Sequence, residues 1–395
     1  MKGASAVNKA KSVKLGVDLL ERHSGLFEGK KLGLITNCTG INGNFESTVD
    51  LLHKHFDLVK LFAPEHGVRG DLQAGITLEG YTDKKTGLPV VSLYGANRRP
   101  SKENTADIDL LVFDIQEVGS RFYTYLYTMA YVMEACAEYG KGCVVLDRPN
   151  PMGVDTVEGN ILNLSCKSFI GYYPIPQRYG LTIGECAKLF NQEYGINCDL
   201  TVIAMDGYKR DMYYECTGVN WVLPSPNIPT PDTCFTFNCS CIFEGTNVSE
   251  GRGTTKPFSF IGAPWIESDK LADELNNSKL PGVHFRPHCF TPLQYHPTLS
   301  KHAGELCNGV EIHVLDRDTF RPIKTGITML YTIKNMYSSN FIFNAPYEKG
   351  YRHMIDYNTG DTYIREGSYS LDEVIALYEK DSKTFSEMKA KYHLY

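Results

Sequence analysis

The chain predicts an α/β fold, a mostly parallel sheet with helices on both faces, followed by a smaller α+β unit. Three observations carry that prediction. Through the first half, short apolar runs alternate with helical segments, the pattern of strands buried on both faces. Each run ends abruptly in Gly, Pro and charged residues, which break strands. From about residue 206 the alternation gives way to a proline-rich and then a Gly-rich stretch.

The chain opens on an amphipathic pattern, with Val13, Val17 and Leu20 on one helical face. It shows neither the apolar stretch nor the small-residue cleavage site of a signal peptide, so a cytoplasmic location is expected. Strands are expected at 31–36, 58–62, 90–93, 110–115, 143–146 and 200–204, with helices at 46–55, 125–139 and 182–193. The last of these begins Thr182-Ile183-Gly184-Glu185, a capping box in which each side chain bonds the other residue's backbone N–H. Then Pro224, Pro226, Pro229 and Pro231 force an extended path. A helix over 231–243 follows, then short strands at 283–287 and 310–314, and helices at 269–276, 323–336 and 371–378. This reads as a Rossmann-like domain over 1–240 and a smaller α+β auxiliary domain over 241–395, the boundary lying between 200 and 285.

Composition narrows the function. At 395 residues the chain exceeds one comfortable core, and 42% hydrophobic with 22% charged residues is ordinary for a globular protein. A net charge of −6 offers no basic field to nucleic acid. No run approaches the ~18 apolar residues of a membrane span. The 12 cysteines lack paired CxxC spacing and read as reduced, buried thiols. Neither GxGxxG nor GxxxxGK[ST] occurs, so no nucleotide cofactor is implied.

Four strand-end loops are rich in acids and donors. They hold Glu65, His66 and Arg69; Tyr94 to Arg99; Gln116, Glu117 and Arg121, leading to Tyr123; and Asp147, Arg148 and Asn150, with Glu158 close behind. In a parallel sheet all four open on one edge, where ligands of such sheets sit. Glu65, Asp114, Glu117, Asp147 and Glu158 can then share a cleft. Paired carboxylates suit glycoside hydrolysis, one protonated to donate to the leaving oxygen and the other ionised. Arginines suit an anionic group, met by planar, bidentate hydrogen bonds. The stretch Phe243 to Phe258 adds a second wall, with Asn247, Ser249, Glu250 and Arg252 among its glycines. Each residue also has a plainer role open to it: Asp147-Arg148 as a local ion pair, the Gly-rich loop as a domain seam. A metal-dependent hydrolase built on His66 with the same carboxylates stays open, though no HExxH is present; so does a non-catalytic sugar-binding module.

Together these stretches resemble the NamZ-type (YbbC-like) exo-β-N-acetylmuramidase family. The matching phrases are APEHGVRG, TGLPVVSLYG, LLVFDIQEVGSRFYTY, VVLDRPNPMG with VEGNIL, FIGYYPIP, PSPNIPT, and FEGTNVSEGRGTTKPF with IGAPW, in one order from about residue 63 to 265. The resemblance implies a Rossmann-like domain and an auxiliary domain with the site in the cleft between them. It further implies cofactor-independent removal of β-1,4-linked N-acetylmuramic acid from the non-reducing end of peptidoglycan fragments. Glu65 falls on the catalytic glutamate of that pattern and is the expected general acid, with Glu117 ranked ahead of Glu158 and Asp147 as the second acid. His66, Arg69, Arg121, Tyr123, Asp147, Arg148, Asn150, Asn227, Asn247, Ser249, Glu250 and Arg252 are the expected substrate contacts, and no metal is expected. The chain has Arg178-Tyr179-Gly180 where family members read Arg-His-Gly, and Gln116-Glu117-Val118-Gly119 where Gln-Asp-Val-Gly is common.

Overall fold

The computed structural model describes residues 13–64, 67–70, 80–95, 97–294 and 300–395. The first half builds β1 (Leu32–Thr36), α1 (Thr48–His55), β2 (Leu58–Ala63), β3 (Tyr81–Thr82), β4 (Pro89–Ser92), β5 (Leu110–Asp114), α2 (Tyr125–Tyr139), β6 (Gly142–Leu146), α3 (Ile183–Glu193) and β7 (Asp199–Ile203). Ahead of them, the expected amphipathic helix forms over Gly16–Leu26 as a 3₁₀ helix, burying Val17 and Leu20. These seven strands form one sheet in the order β3-β4-β2-β1-β5-β6-β7. Every pairing is parallel except the short β3 against β4. Leaving β3 aside, the parallel strands run third, second, first, fourth, fifth, sixth. That is the doubly wound order, and its switch point lies between β1 and β5. Every residue of those two strands is buried, as strands covered on both faces must be.

The capping box forms as its spacing predicts: the Thr182 side chain accepts from Glu185 N–H, and Glu185 accepts from Thr182 N–H. The second half builds α4 (Thr233–Ser240), β8 (Phe260–Ala263), α5 (Ser268–Asn277), β9 (Val283–Phe290), β10 (Cys307–Val314), α6 (Pro322–Met336), α7 (Met354–Thr359), α8 (Tyr363–Glu366) and α9 (Leu371–Lys389). Its three strands make an antiparallel sheet, β8-β10-β9. The helix expected over 231–243 is α4 followed by a 3₁₀ turn, Cys241–Gly245. No helix of the described residues is long and apolar enough to cross a membrane.

The two halves share apolar cores. Val118, Phe122 and Met152, from loops of the first sheet, pack with Phe235, Phe237 and Phe258. Helix α9 does the reverse: Val374 and Tyr378 sit in that core, while Phe385 and the following Tyr392 enter the core of the first sheet. The last residues then fasten to the sheet's edge. Lys389 Nζ donates to the carbonyls of Val154 and Gly180 at 2.6 and 2.5 Å, and the Tyr395 hydroxyl donates to Asp147 at 2.7 Å.

Candidate active site

The switch point is built from buried polar groups. Asn37 Oδ1 accepts from the Thr39 hydroxyl at 2.6 Å, and Thr39 Oγ1 in turn accepts from Gln116 N–H at 2.9 Å, tying the ends of β1 and β5 together. Arg148 reaches across from the end of β6 and meets Asp114 with two hydrogen bonds, so the strand ends hold a buried, bidentate ion pair. Gln116 Nε2 donates to the carbonyls of Glu117 and Pro149. Gly119 then turns the chain at φ 74°; a Cβ there would lie 2.4 Å from Asn150 Oδ1. The turn needs glycine on both counts.

Glu117 lies at the centre of this arrangement, 2% exposed. Its Oε2 accepts from the Tyr179 hydroxyl at 3.0 Å and from Val118 N–H at 3.2 Å. Its Oε1 has no hydrogen-bond partner among the described residues. Burial pushes the carboxyl up to about 8, against the downward pull of the Tyr179 hydroxyl and the N–H groups of Val118, Leu126 and Gly119. Leu126 belongs to the first turn of α2, so the helix N-terminus faces this carboxyl. Two donors on Oε2 leave Oε1 as the oxygen open to carry the proton of the neutral acid. Tyr179 is fully buried, and burial followed by the Glu117 charge raises its own hydroxyl well above the ordinary value. The two positions at which the sequence departs from the family phrases are thus in contact.

The other expected residues are placed as follows. Glu65 and His66 lie outside the described residues. Glu158 faces the second half: its Oε1 pairs with Arg178 at 2.9 Å and its Oε2 accepts from Ile323 N–H, in the first turn of α6, at 3.2 Å. Asp147 caps α3, accepting from Gly184 N–H, the Thr182 hydroxyl and Tyr395; burial pushes it up to about 6. Asn150 accepts from Met152 N–H within its own turn and donates to Leu181 O, 31 positions away. Asn227 is half-buried in the proline-rich turn. Tyr123 is half-buried and lies edge-on to Tyr125 and Phe237.

The four arginines all have partners. Arg69 holds Asp83 with two bonds, at 2.6 and 2.9 Å. Arg121 is fully buried and donates to the carbonyls of Asn160, Ile175 and Asn358, the last at the C-terminal end of α7, where a cation is favoured. Arg148 holds Asp114 as above. Arg252 pairs with Glu250 at 2.8 Å and with Glu244.

The Gly-rich loop is stapled to itself. Glu250 is shared by Arg252 and by Lys301 at 2.8 Å; burial alone raises its carboxyl, but the two cations outweigh it and hold it below the ordinary value. Ser249 Oγ accepts from Gly251 N–H. The loop reaches the first sheet through rings: Arg252 lies 4.7 Å over Phe258, Phe258 touches Phe237 at 4.8 Å, and Phe237 touches Tyr123 at 5.7 Å. Asn247 spends both ends of its amide on a neighbouring segment, donating to Asn340 O at 2.8 Å and accepting from Ile342 N–H at 3.0 Å. Asn247→Ala is therefore expected to cost about 1–2 kcal/mol in urea unfolding and to leave kcat/KM within about twofold. A large loss of kcat/KM at unchanged stability would instead put this amide on a ligand.

Sequence reasoning passed over Tyr179 and the segment around it. Gln177 O accepts from Arg121 N–H, Arg178 pairs with Glu158, Tyr179 meets Glu117, Gly180 O accepts from Lys389, and Leu181 O accepts from Asn150. Five consecutive residues hold four of the expected site residues and the C-terminal helix. The only sequence signal was the departure of Arg178-Tyr179-Gly180 from the family's Arg-His-Gly. Among the described residues no three His, Cys, Asp or Glu side chains stand together as a metal ion needs.

Known proteins match this chain along its length. Residues 32–232 match the family model of the exo-beta-N-acetylmuramidase NamZ N-terminal domain, and residues 235–395 match the model of its C-terminal domain. The peptidoglycan beta-N-acetylmuramidase NamZ of Bacillus subtilis (strain 168) is 48% identical over 393 residues, covering 98% of this chain and 92% of that protein. The crystal structure of a DUF1343 family protein, BF0371, from Bacteroides fragilis NCTC 9343 superposes with a TM-score of 0.90 at 40% identity, covering 97% of this chain and 99% of the other. A second such protein from that organism, BF0379, gives a TM-score of 0.76 at 31% identity over the same shares.

Proposed function

The chain belongs to the exo-beta-N-acetylmuramidase NamZ family, and we propose that it releases N-acetylmuramic acid from the non-reducing end of peptidoglycan fragments, with Glu117 as the general acid. One observation carries the assignment. Of the described carboxyls at the strand ends, Glu117 alone combines an oxygen free of any described partner with a carboxyl pushed up to about 8. An acid that keeps its proton at neutral pH can give it to a leaving oxygen. Glu158 and Asp147 have both oxygens engaged, which favours structural roles for them. Glu65, expected from the sequence as the general acid, lies outside the described residues; in this reading it exchanges that role for the ionised carboxylate's, nucleophile or base.

The test is incubation with a muramyl-terminated disaccharide, following free N-acetylmuramic acid. A disaccharide that binds and stays whole overturns the proposal. A pH prediction accompanies it. The basic limb of kcat/KM marks the loss of the Glu117 proton. Tyr179→Phe removes a hydrogen bond that favours the ionised form, so the limb should move to higher pH. A hydrogen bond to a charged group contributes roughly 1.5–3 kcal/mol, which corresponds to a move of about 1 to 2 pH units. A limb that stays in place would show that the hydroxyl does not tune the acid.

A further inference from the structure

N-acetylmuramic acid differs from N-acetylglucosamine by a lactyl ether that carries a carboxylate, and a site selective for it needs a cation to meet that group. The four arginines described above already hold carboxylates or carbonyls. Arg98 differs from them. It is exposed, and no ion pair engages it among the described residues, whereas its neighbour Arg99 pairs with Glu138 at 2.5 Å. The Arg98 guanidinium lies over the Phe169 ring, 4.1 Å from its centroid. Stacking fixes the plane of the group and leaves its N–H edges free, the geometry in which guanidinium meets a carboxylate bidentately.

Arg98 and Phe169 border a small pocket completed by Leu93, Tyr94, Thr124, Thr128 and Tyr131. Leu93 and Tyr94 follow β4 on the ligand edge of the sheet, and Thr124 is the residue on which α2 begins. The same first turn of α2 presents Leu126 N–H to Glu117. Thr124 of the pocket and Leu126 beside Glu117 are thus two residues apart at one helix start, the proximity on which the proposal below relies. The positive end of the 15-residue α2 adds to the attraction for an anion there.

Resting on the glycosidase reading above, we propose that Arg98 is the specificity-determining residue of this site and binds the lactyl carboxylate of the terminal muramic residue. The lactyl methyl packs against the apolar wall of Leu93 and Tyr131. The experiment uses the full chain and two probes: an aryl β-N-acetylmuraminide with its carboxylate free, and the same compound with that carboxylate converted to a methylamide. Arg98→Ala should raise KM for the free carboxylate at least tenfold with kcat little altered, and should raise it far less for the amide. Arg98→Lys should recover part of the loss, because it restores charge without the planar fork. Equal changes on both probes, or none on either, overturn the role of Arg98. If the wild-type protein hydrolyses neither probe, the glycosidase reading falls and takes this proposal with it.

Discussion

Glu117→Gln is expected to lower kcat by ~10²- to 10⁴-fold and to leave the binding of a muramyl disaccharide largely intact. The amide can present its carbonyl to Tyr179 and Val118 as Oε2 does now, so the fold should persist. Stability offers an independent check. The carboxyl titrates near its ordinary 4.5 in the unfolded chain and near about 8 in the folded one. Between those values the folded chain keeps a proton that the unfolded chain has lost, so wild-type stability falls as pH rises across the window. Glutamine has no such proton, and the variant's stability should be flatter from pH 4.5 to 8. Urea unfolding at several pH values reads this directly. Turnover close to wild type in a folded variant would take Glu117 out of the chemistry.

Arg178→Ala should destabilise the protein by about 3–5 kcal/mol, the cost of leaving one partner of a buried ion pair alone. Arg178 is 2% exposed and Glu158 7%. Removing the guanidinium strands the carboxylate against Ile323 N–H and also deletes the hydrogen bond to Met152 O. The pair sits where α6 meets the first sheet, so a less cooperative transition, with the halves separating early, is expected as well. Replacing both partners by apolar side chains of similar volume should recover much of the loss, because the desolvation of the two charges disappears with them. A single-variant loss below about 1 kcal/mol would mean that the pair behaves like a solvent-exposed bridge.

Much of the architecture could be read from the chain because it depends on local pattern. Apolar runs, strand-ending glycines and prolines, and the Thr182 capping box each report within a few residues, and the structure has strands and a helix where they point. The amphipathic helix expected at the start is present at Gly16–Leu26, but its 3₁₀ form was not legible in the spacing of Val13, Val17 and Leu20. Strand β3, two residues long, and α7, six, are too short to leave a periodic trace. The site was legible as a set of loops but not as a set of side chains. Which oxygen of Glu117 is free depends on Tyr179, 62 positions away, and the use of Asp147 depends on Tyr395, 248 positions away. The arginines show the same limit: residue type and loop made Arg69, Arg148 and Arg252 expected substrate contacts, but their pairing with Asp83, Asp114 and Glu244 emerges only once the chain has folded.

The fastening of Gly180 by Lys389 bears on how the protein is made. The sheet can form soon after its strands leave the ribosome. The carbonyl next to Tyr179, however, has only a long bond from Arg210, at 3.5 Å, until its short one arrives from Lys389, encoded 209 positions downstream. At roughly 5–20 residues per second of synthesis, that is a delay of about 10–40 seconds. During it, the segment that orients the proposed acid keeps its bonds to Arg121, Glu158, Glu117 and Asn150 but lacks the one from α9. A nascent chain can thus bury its first core early and still lack this tether, and with it full support of the segment next to the proposed acid, until α9 has emerged.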